Sequence, residues 1–393
     1  MELAAFERLR CPACIGELRL ESFSDQEHDG QTYVGSGVLL CEDCRVSYPI
    51  ESGVPVMLRF STAFHEWFAE SQRERLASLG GYSMPSGTPR PGELAVQETF
   101  TDEWSLTTED ELSFVFTLEE LVELNRKVWL RAITQLPPEE GPKTLLDVGC
   151  GVGMETMALR EATGAEQLFG IDLNFALLSR RPEFRYRPDV HFVIASLFDL
   201  PFETQSFDLV YSEGVIHHTY STSEAFEAIT TRVRPGGHLF VWVYGLDDHL
   251  VPDGHRGMRE HLLERLLRPL ISRAPRRLRD AIFKALVAIS HARRRRGGLA
   301  FGEKEGHGEQ WTRQNTEHTL RDWLSPRYAH RHGFNEVIEW FESAEFRIVD
   351  VQSPSAYRAL FDDPPFGVGM TGRRSDRADA GRAAGGREHA TAA

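Results

Sequence analysis

The chain of 393 residues lacks any apolar run of membrane-spanning length, which excludes a transmembrane helix. Its opening, Met1 to Arg10, is charged and has no signal-peptide apolar segment. Positive charge is in deficit: the net charge of -15 opposes global affinity for nucleic acid, although a local basic patch stays open. Cysteine is scarce, five in all, too few for a disulfide scaffold. No internal repeat exists. These absences together describe a soluble, cytoplasmic protein, long enough for two or three domains.

Four of the five cysteines are concentrated in two C-x-x-C pairs, Cys11/Cys14 and Cys41/Cys44. Four thiolates in two such pairs suit a closed tetrahedral zinc site, structural and not catalytic. A redox pair is the alternative, but no thioredoxin-like pattern surrounds either pair. Gly16 permits a tight turn after Cys14. The polar stretch Glu21 to Gly30 reads as a loop and Tyr33–Leu40 as a strand. The run that follows, Cys44-Arg45-Val46-Ser47-Tyr48-Pro49-Ile50-Glu51-Ser52-Gly53-Val54-Pro55-Val56-Met57-Leu58, resembles the small zinc-ribbon proteins that partner RNA and protein methyltransferases.

The chain is organised around Thr144-Leu145-Leu146-Asp147-Val148-Gly149-Cys150-Gly151-Val152-Gly153, followed by a helical pattern from Met154. A short apolar run ending at an acid reads as a buried parallel strand. The glycines let the backbone approach a ligand, and the helix start aims N–H groups and its positive dipole end at it. A dinucleotide loop, G-x-G-x-x-G, needs a further glycine where Met154 or Thr156 stands. The observed D-x-G-x-G-x-G instead resembles motif I of the class I S-adenosylmethionine (SAM) methyltransferases. A second strand, Gln167–Leu173, ends at Asp172, nineteen residues after Gly153, where an acid can accept both ribose hydroxyls of an adenosine. Such a residue at a strand end beside the cleft is expected to be replaceable without unfolding.

Three more motifs agree. Ser196-Leu197-Phe198-Asp199-Leu200-Pro201-Phe202 follows the third strand, Val190–Ala195, with Ser196 where the family usually carries the Asp that contacts the adenine amine. Phe207–Ser212 is a fourth strand leading into Glu213-Gly214-Val215-Ile216-His217-His218, which resembles the ubiquinone/menaquinone-type (type 11) methyltransferases. Arg234-Pro235-Gly236-Gly237 opens the fifth strand. The resemblance implies an α/β fold: a Rossmann-like seven-stranded sheet with an N-terminal zinc ribbon and a helical insertion. It implies SAM and Zn²⁺ as cofactors, with SAM held around Asp147, Gly149, Cys150, Gly151, Gly153, Asp172, Leu173, Ser196, Leu197, Ser212 and Glu213.

The domain reading is a ribbon over 1–60, a connector and cap over 61–140, and a SAM core over 141–245. A basic helical insertion follows over 246–310, the rest of the core over 311–372 and a disordered tail over 373–393. In the connector, Thr117 with Glu120 forms a capping box, and Trp104 reads either as a cleft wall or as core. The insertion is expected to cover the substrate side and not the SAM side; its arginine-rich faces also suit an anionic membrane surface or RNA. His217 and His218, past the fourth strand, are the candidate proton acceptors. Tyr244, Asp247, His249 and His255 are unranked substrate contacts. The leading acceptor is a small molecule; an RNA base is the alternative, and a non-catalytic SAM-binding scaffold a third reading.

Overall fold

The computed structural model describes residues 1–106, 116–180, 182–246, 265–298, 300–301, 311–352 and 367–376. Its first unit is a four-stranded antiparallel sheet: β1 (Arg19–His28), β2 (Gln31–Cys41), β3 (Val46–Glu51) and β4 (Val54–Pro55). The stretch expected as a loop is therefore strand β1. Asp29 and Gly30, at φ +50° and +76°, make a two-residue turn with His28 paired to Gln31. Asp-Gly is the dipeptide that such a turn favours, because both residues need positive φ. The strand was concealed because most of its side chains face water, so it is held by ladder hydrogen bonds and not by burial.

The ribbon is fused onto the second unit. Val56 bridges Ile194 in parallel, and Met57 N–H donates to Ile194 O at 2.7 Å. Val56, Met57 and Leu58 are fully buried, and Cys11, Cys41, Tyr48 and Ile50 share one core with Val193, Ala195 and Phe202. Arg59 pairs with Asp199 at 2.9 Å across the seam.

The second unit is a seven-stranded sheet. Its strands are β5 (Thr144–Val148), β6 (Gln167–Asp172), β7 (Val190–Ile194), β8 (Phe207–Glu213), β9 (Val233–Tyr244), β10 (Phe346–Val351) and β11 (Gly367–Arg374), in the order β10-β11-β9-β8-β5-β6-β7. β9-β8-β5-β6-β7 are parallel, and β11 runs antiparallel to both its neighbours. The chain reverses its direction of winding between β5 and β8, the place where open α/β sheets bind ligands. The seventh strand is Gly367–Arg374. β11 also corrects the tail boundary. Arg374 still donates to Thr230 O and Val233 O, at 3.0 and 2.7 Å.

The helices around the sheet are α1 (Ala63–Ser71), α2 (Arg73–Leu79), α3 (Glu93–Trp104), α4 (Leu118–Leu124), α5 (Arg131–Thr134), α6 (Met154–Thr163), α7 (Thr222–Thr230), α8 (Arg276–Arg294), α9 (Arg313–Leu324) and α10 (Phe334–Ser343). Thr117 and Glu120 form the expected capping box. α7 starts at Thr222 because Ser221 caps it by accepting from Glu224 N–H.

The described part of the insertion packs on α9, through Ile271, Phe283 and Val287 against Leu320 and Leu324. Arg276 and Arg279 of α8 both reach Asp102 of α3, at 2.9 and 3.0 Å. α3 also lies over the glycine loop, so the insertion braces the helix covering the SAM side as well. Arg321 of α9 closes the network by pairing with Asp280 and Glu317. No helix among the described residues is long and apolar enough to cross a membrane.

Candidate active site and metal centre

The four ribbon cysteines converge. Their sulfurs lie within 4.8 Å of one another, Cys11 to Cys44 at 3.9 Å and Cys14 to Cys41 at 3.6 Å. A tetrahedron with Zn–S near 2.3 Å has edges of about 3.8 Å. The pairs are related by symmetry of local form: Ile15 N–H donates to Cys11 O, and Arg45 N–H to Cys41 O. The left-handed residue of each turn is Ile15 or Arg45, at φ +61° and +55°, and not Gly16 as the sequence suggested. Gly16 N–H and Cys44 N–H instead point at Cys14 Sγ and Cys41 Sγ, each at 3.4 Å. Such donors stabilise thiolate charge. The residues fit a structural zinc ion.

The glycine loop sits at the C-terminal ends of β5 and β6. Gly149, Gly151 and Gly153 all have positive φ, of +91°, +57° and +101°. A Cβ on Gly151 would lie 2.7 Å from the Trp104 ring, so the loop and α3 touch only because that position is glycine. Trp104 thus packs directly on the glycine loop. Asp172 accepts from Gly151 N–H at 2.8 Å and from Asn174 N–H at 2.9 Å. Gly153 caps α6 with no side-chain acceptor, leaving first-turn N–H groups for a ligand. Glycines, helix start and acid fit the adenosine and amino-acid ends of SAM.

Several expected cofactor contacts have structural tasks. Asp147 is buried and accepts the Thr156 hydroxyl at 2.6 Å, tying β5 to α6. Cys150 packs in the core. Ser212 is buried and donates to Val148 O at 3.2 Å. Ser196 donates to the Glu93 carboxylate of α3 and accepts from Phe198 N–H, so the acid at this place comes from the cap. Leu173, Leu197 and Glu213 are half-buried. Glu93 was missed because it lies on a separate helix whose polar pattern gives no periodic signal.

Across the switch point, His217 and His218 form a short turn after β8 with Tyr244 from β9. His217 is fully buried, its ring 4.0 Å from the Tyr244 ring and 4.2 Å from His218. Neither ring nitrogen of His217 has a hydrogen-bond partner. His218 Nδ1 lies 2.9 Å from Tyr328 O, which fixes its proton there, and its Nε2 faces Asp322 at 3.7 Å. Tyr244 O–H donates to the same Asp322 at 2.7 Å. Asp322, on the unforeseen helix α9, joins the site from far along the chain. Asp247, His249 and His255 lie outside the described residues.

The site is acidic. Burial pushes Glu213 up to about 8 and Glu155 up to about 7, each against its ordinary 4.5, and neighbouring acids add to the rise at Glu213. The folded chain therefore keeps protons that the unfolded chain has released above pH ~4.3. The contribution of these two groups to stability falls as pH rises from there to about 8, whereas His65, His191, His217, His238 and His318, held by burial below their ordinary 6.5, contribute the opposite slope. Melting curves at pH 5 and pH 8 therefore compare the unliganded wild type with a variant in which both glutamates are glutamine. Relative to that variant, the wild type should be less stable at pH 8 than at pH 5.

Residues 146–241 match the family model described as a methyltransferase domain, and residues 6–53 match the Trm112p-like protein model. The chain carries a methyltransferase domain behind a Trm112p-like zinc ribbon. It is 35% identical over 117 residues to the tRNA U34 carboxymethyltransferase of Idiomarina loihiensis, covering 28% of this chain and 35% of that protein. It is 28% identical over 149 residues to the malonyl-[acyl-carrier protein] O-methyltransferase of Legionella pneumophila, covering 36% and 52%. The chain thus spans about a third to a half of these curated relatives. Among solved structures, the Haloferax volcanii complex of the Trm112 methyltransferase activator aligns at a TM-score of 0.37 and 16% identity. That alignment covers 66% of this chain and 93% of the other.

Proposed function

We propose that the chain transfers a methyl group from SAM to a base of tRNA. SAM would supply a methyl carbon made electrophilic by its sulfonium. The acceptor's lone pair forms the new bond as the carbon–sulfur pair leaves on sulfur. The chain's part is to hold both partners, exclude water and take the acceptor's proton where it has one. Burial holds His217 well below its ordinary 6.5, so it stands neutral at physiological pH and burial opposes its keeping a proton that it takes. The observation that carries the acceptor assignment is the cluster of rings at the switch point, buried His217, His218 and Tyr244 with half-buried Phe100 at its edge, whose open face suits a flat ring taken out of a stack. The tRNA-acting relatives and the Trm112p-like ribbon support the same acceptor.

A second reading, a carboxyl or other small-molecule acceptor, is favoured by the net charge of -15, which repels a polyanion, and by the acyl-carrier relative. Purified protein with methyl-labelled SAM, given total tRNA in one arm and an RNA-free metabolite extract in another, separates them. Label in nuclease-sensitive tRNA is expected. Label only in the metabolite arm would transfer the assignment to the second reading, and label in neither arm would contradict both.

A further inference from the structure

Glu103, in the last turn of α3, is 1% exposed. A buried carboxylate ordinarily has a cation or several donors. Among the described residues this one does not: its Oε2 has no hydrogen-bond partner there. The nearest cation-capable group, His318 Nε2, stands 3.5 Å from Oε1. Burial holds His318 down to about 3, so that ring is neutral and offers no charge. Arg321 acts on Glu103 only through the field and is committed to Asp280 and Glu317.

The position of Glu103 gives its orphaned oxygen a purpose. It senses the charges of Asp172, on the cofactor side, and Asp322, on the acceptor side. Its chain neighbour packs on the glycine loop, and it faces His318 of α9 one helical turn from Asp322, which places it between the loop and the His217–Tyr244–Asp322 group. Its chain neighbour Trp104 lies on Gly151, and the Trp104 and His318 rings stand 5.4 Å apart. Aromatic faces beside an unpaired carboxylate make a seat for a cation, by ring quadrupole and by charge.

We propose that Glu103 binds an ammonium group at the junction of the two sites. The ammonium is either that of the cofactor's amino-acid end or an amine of the acceptor. This rests on the SAM reading above. An arriving cation supplies the charge that Glu103 lacks, so ligand entry and closure of α3 onto the loop reinforce one another. Two neighbouring acids already oppose ionisation of Glu103, and a cation between them relieves all three.

The test compares S-adenosylhomocysteine with 5′-methylthioadenosine, which keeps the adenosine and lacks the amino-acid end. Both are titrated calorimetrically into the wild-type protein and Glu103→Gln. With the cofactor's ammonium in the seat, Glu103→Gln weakens S-adenosylhomocysteine by about ten- to a hundredfold and leaves 5′-methylthioadenosine unmoved. With the acceptor's amine there, both titrations are unmoved and KM for the acceptor rises at constant kcat. Either result supports the seat. Unchanged titrations with unchanged KM would overturn it. Retained zinc and an undiminished melting temperature certify that Glu103→Gln is folded, since burial already holds Glu103 well above its ordinary 4.5 and glutamine is the neutral isostere of the protonated acid. A wild-type protein that binds neither compound would overturn the cofactor reading and this proposal together, whereas wild-type binding with titrations and KM both unmoved in the variant overturns only Glu103.

Discussion

Cys41→Ser is expected to bring zinc from one ion per chain to near zero and to unfold the ribbon. Metal analysis alongside a melting curve reads both. In small zinc modules the metal contributes on the order of 10 kcal/mol to folding, more than so small a core can replace. Cys41 ends β2, and its sulfur stands 3.6 Å from that of Cys14. The damage should spread, because ribbon and sheet share one core and the Val56–Ile194 bridge. A second, lower transition or a lowered single one is therefore expected for the methyltransferase domain. A variant without zinc that melts like the wild type would show the metal to be dispensable.

Asp172→Ala should lose on two counts. Its carboxylate accepts two backbone N–H groups, from Gly151 and Asn174, and each buried donor left without a partner costs about 1–3 kcal/mol. The sequence suggested a residue at a strand end that could be changed without cost to the fold; the structure shows it stapling the glycine loop to the β6 loop. SAM affinity should fall by about ten- to a hundredfold, since each 1.4 kcal/mol is tenfold. The melting temperature should fall as well. Asp172→Asn keeps one acceptor oxygen and should fall between. Calorimetric titration with a melting curve for each variant checks this. An Asp172→Ala protein that melts lower yet binds SAM normally would leave the residue a purely structural role.

What could be read in the sequence was local. The glycine loop, the strand that precedes it, Asp172 and the paired cysteines each announce themselves through short spacing and strong residue preference. The capping box at Thr117 did so for the same reason. What was hidden depends on distance along the chain. Glu93 and Glu103 reach the cleft from a helix without apolar periodicity, and Asp322 reaches Tyr244 across 78 positions. β1 escaped because its residues are polar and only its partner makes it a strand. Asp147 and Ser212 fall within the right motifs, but burial turns their side chains to holding the sheet. Motif position thus gave the neighbourhood of the site, while the direction of each side chain followed from packing.

The central claim is that the cleft over Gly149–Gly153 holds SAM beside the histidine pair. Titration of the zinc-loaded full chain with SAM, followed by calorimetry, tests it most directly. One saturable site per chain, competed by S-adenosylhomocysteine and weakened by Asp172→Ala, is the predicted result. A protein that melts cooperatively, retains its zinc and gives no saturable binding would contradict it.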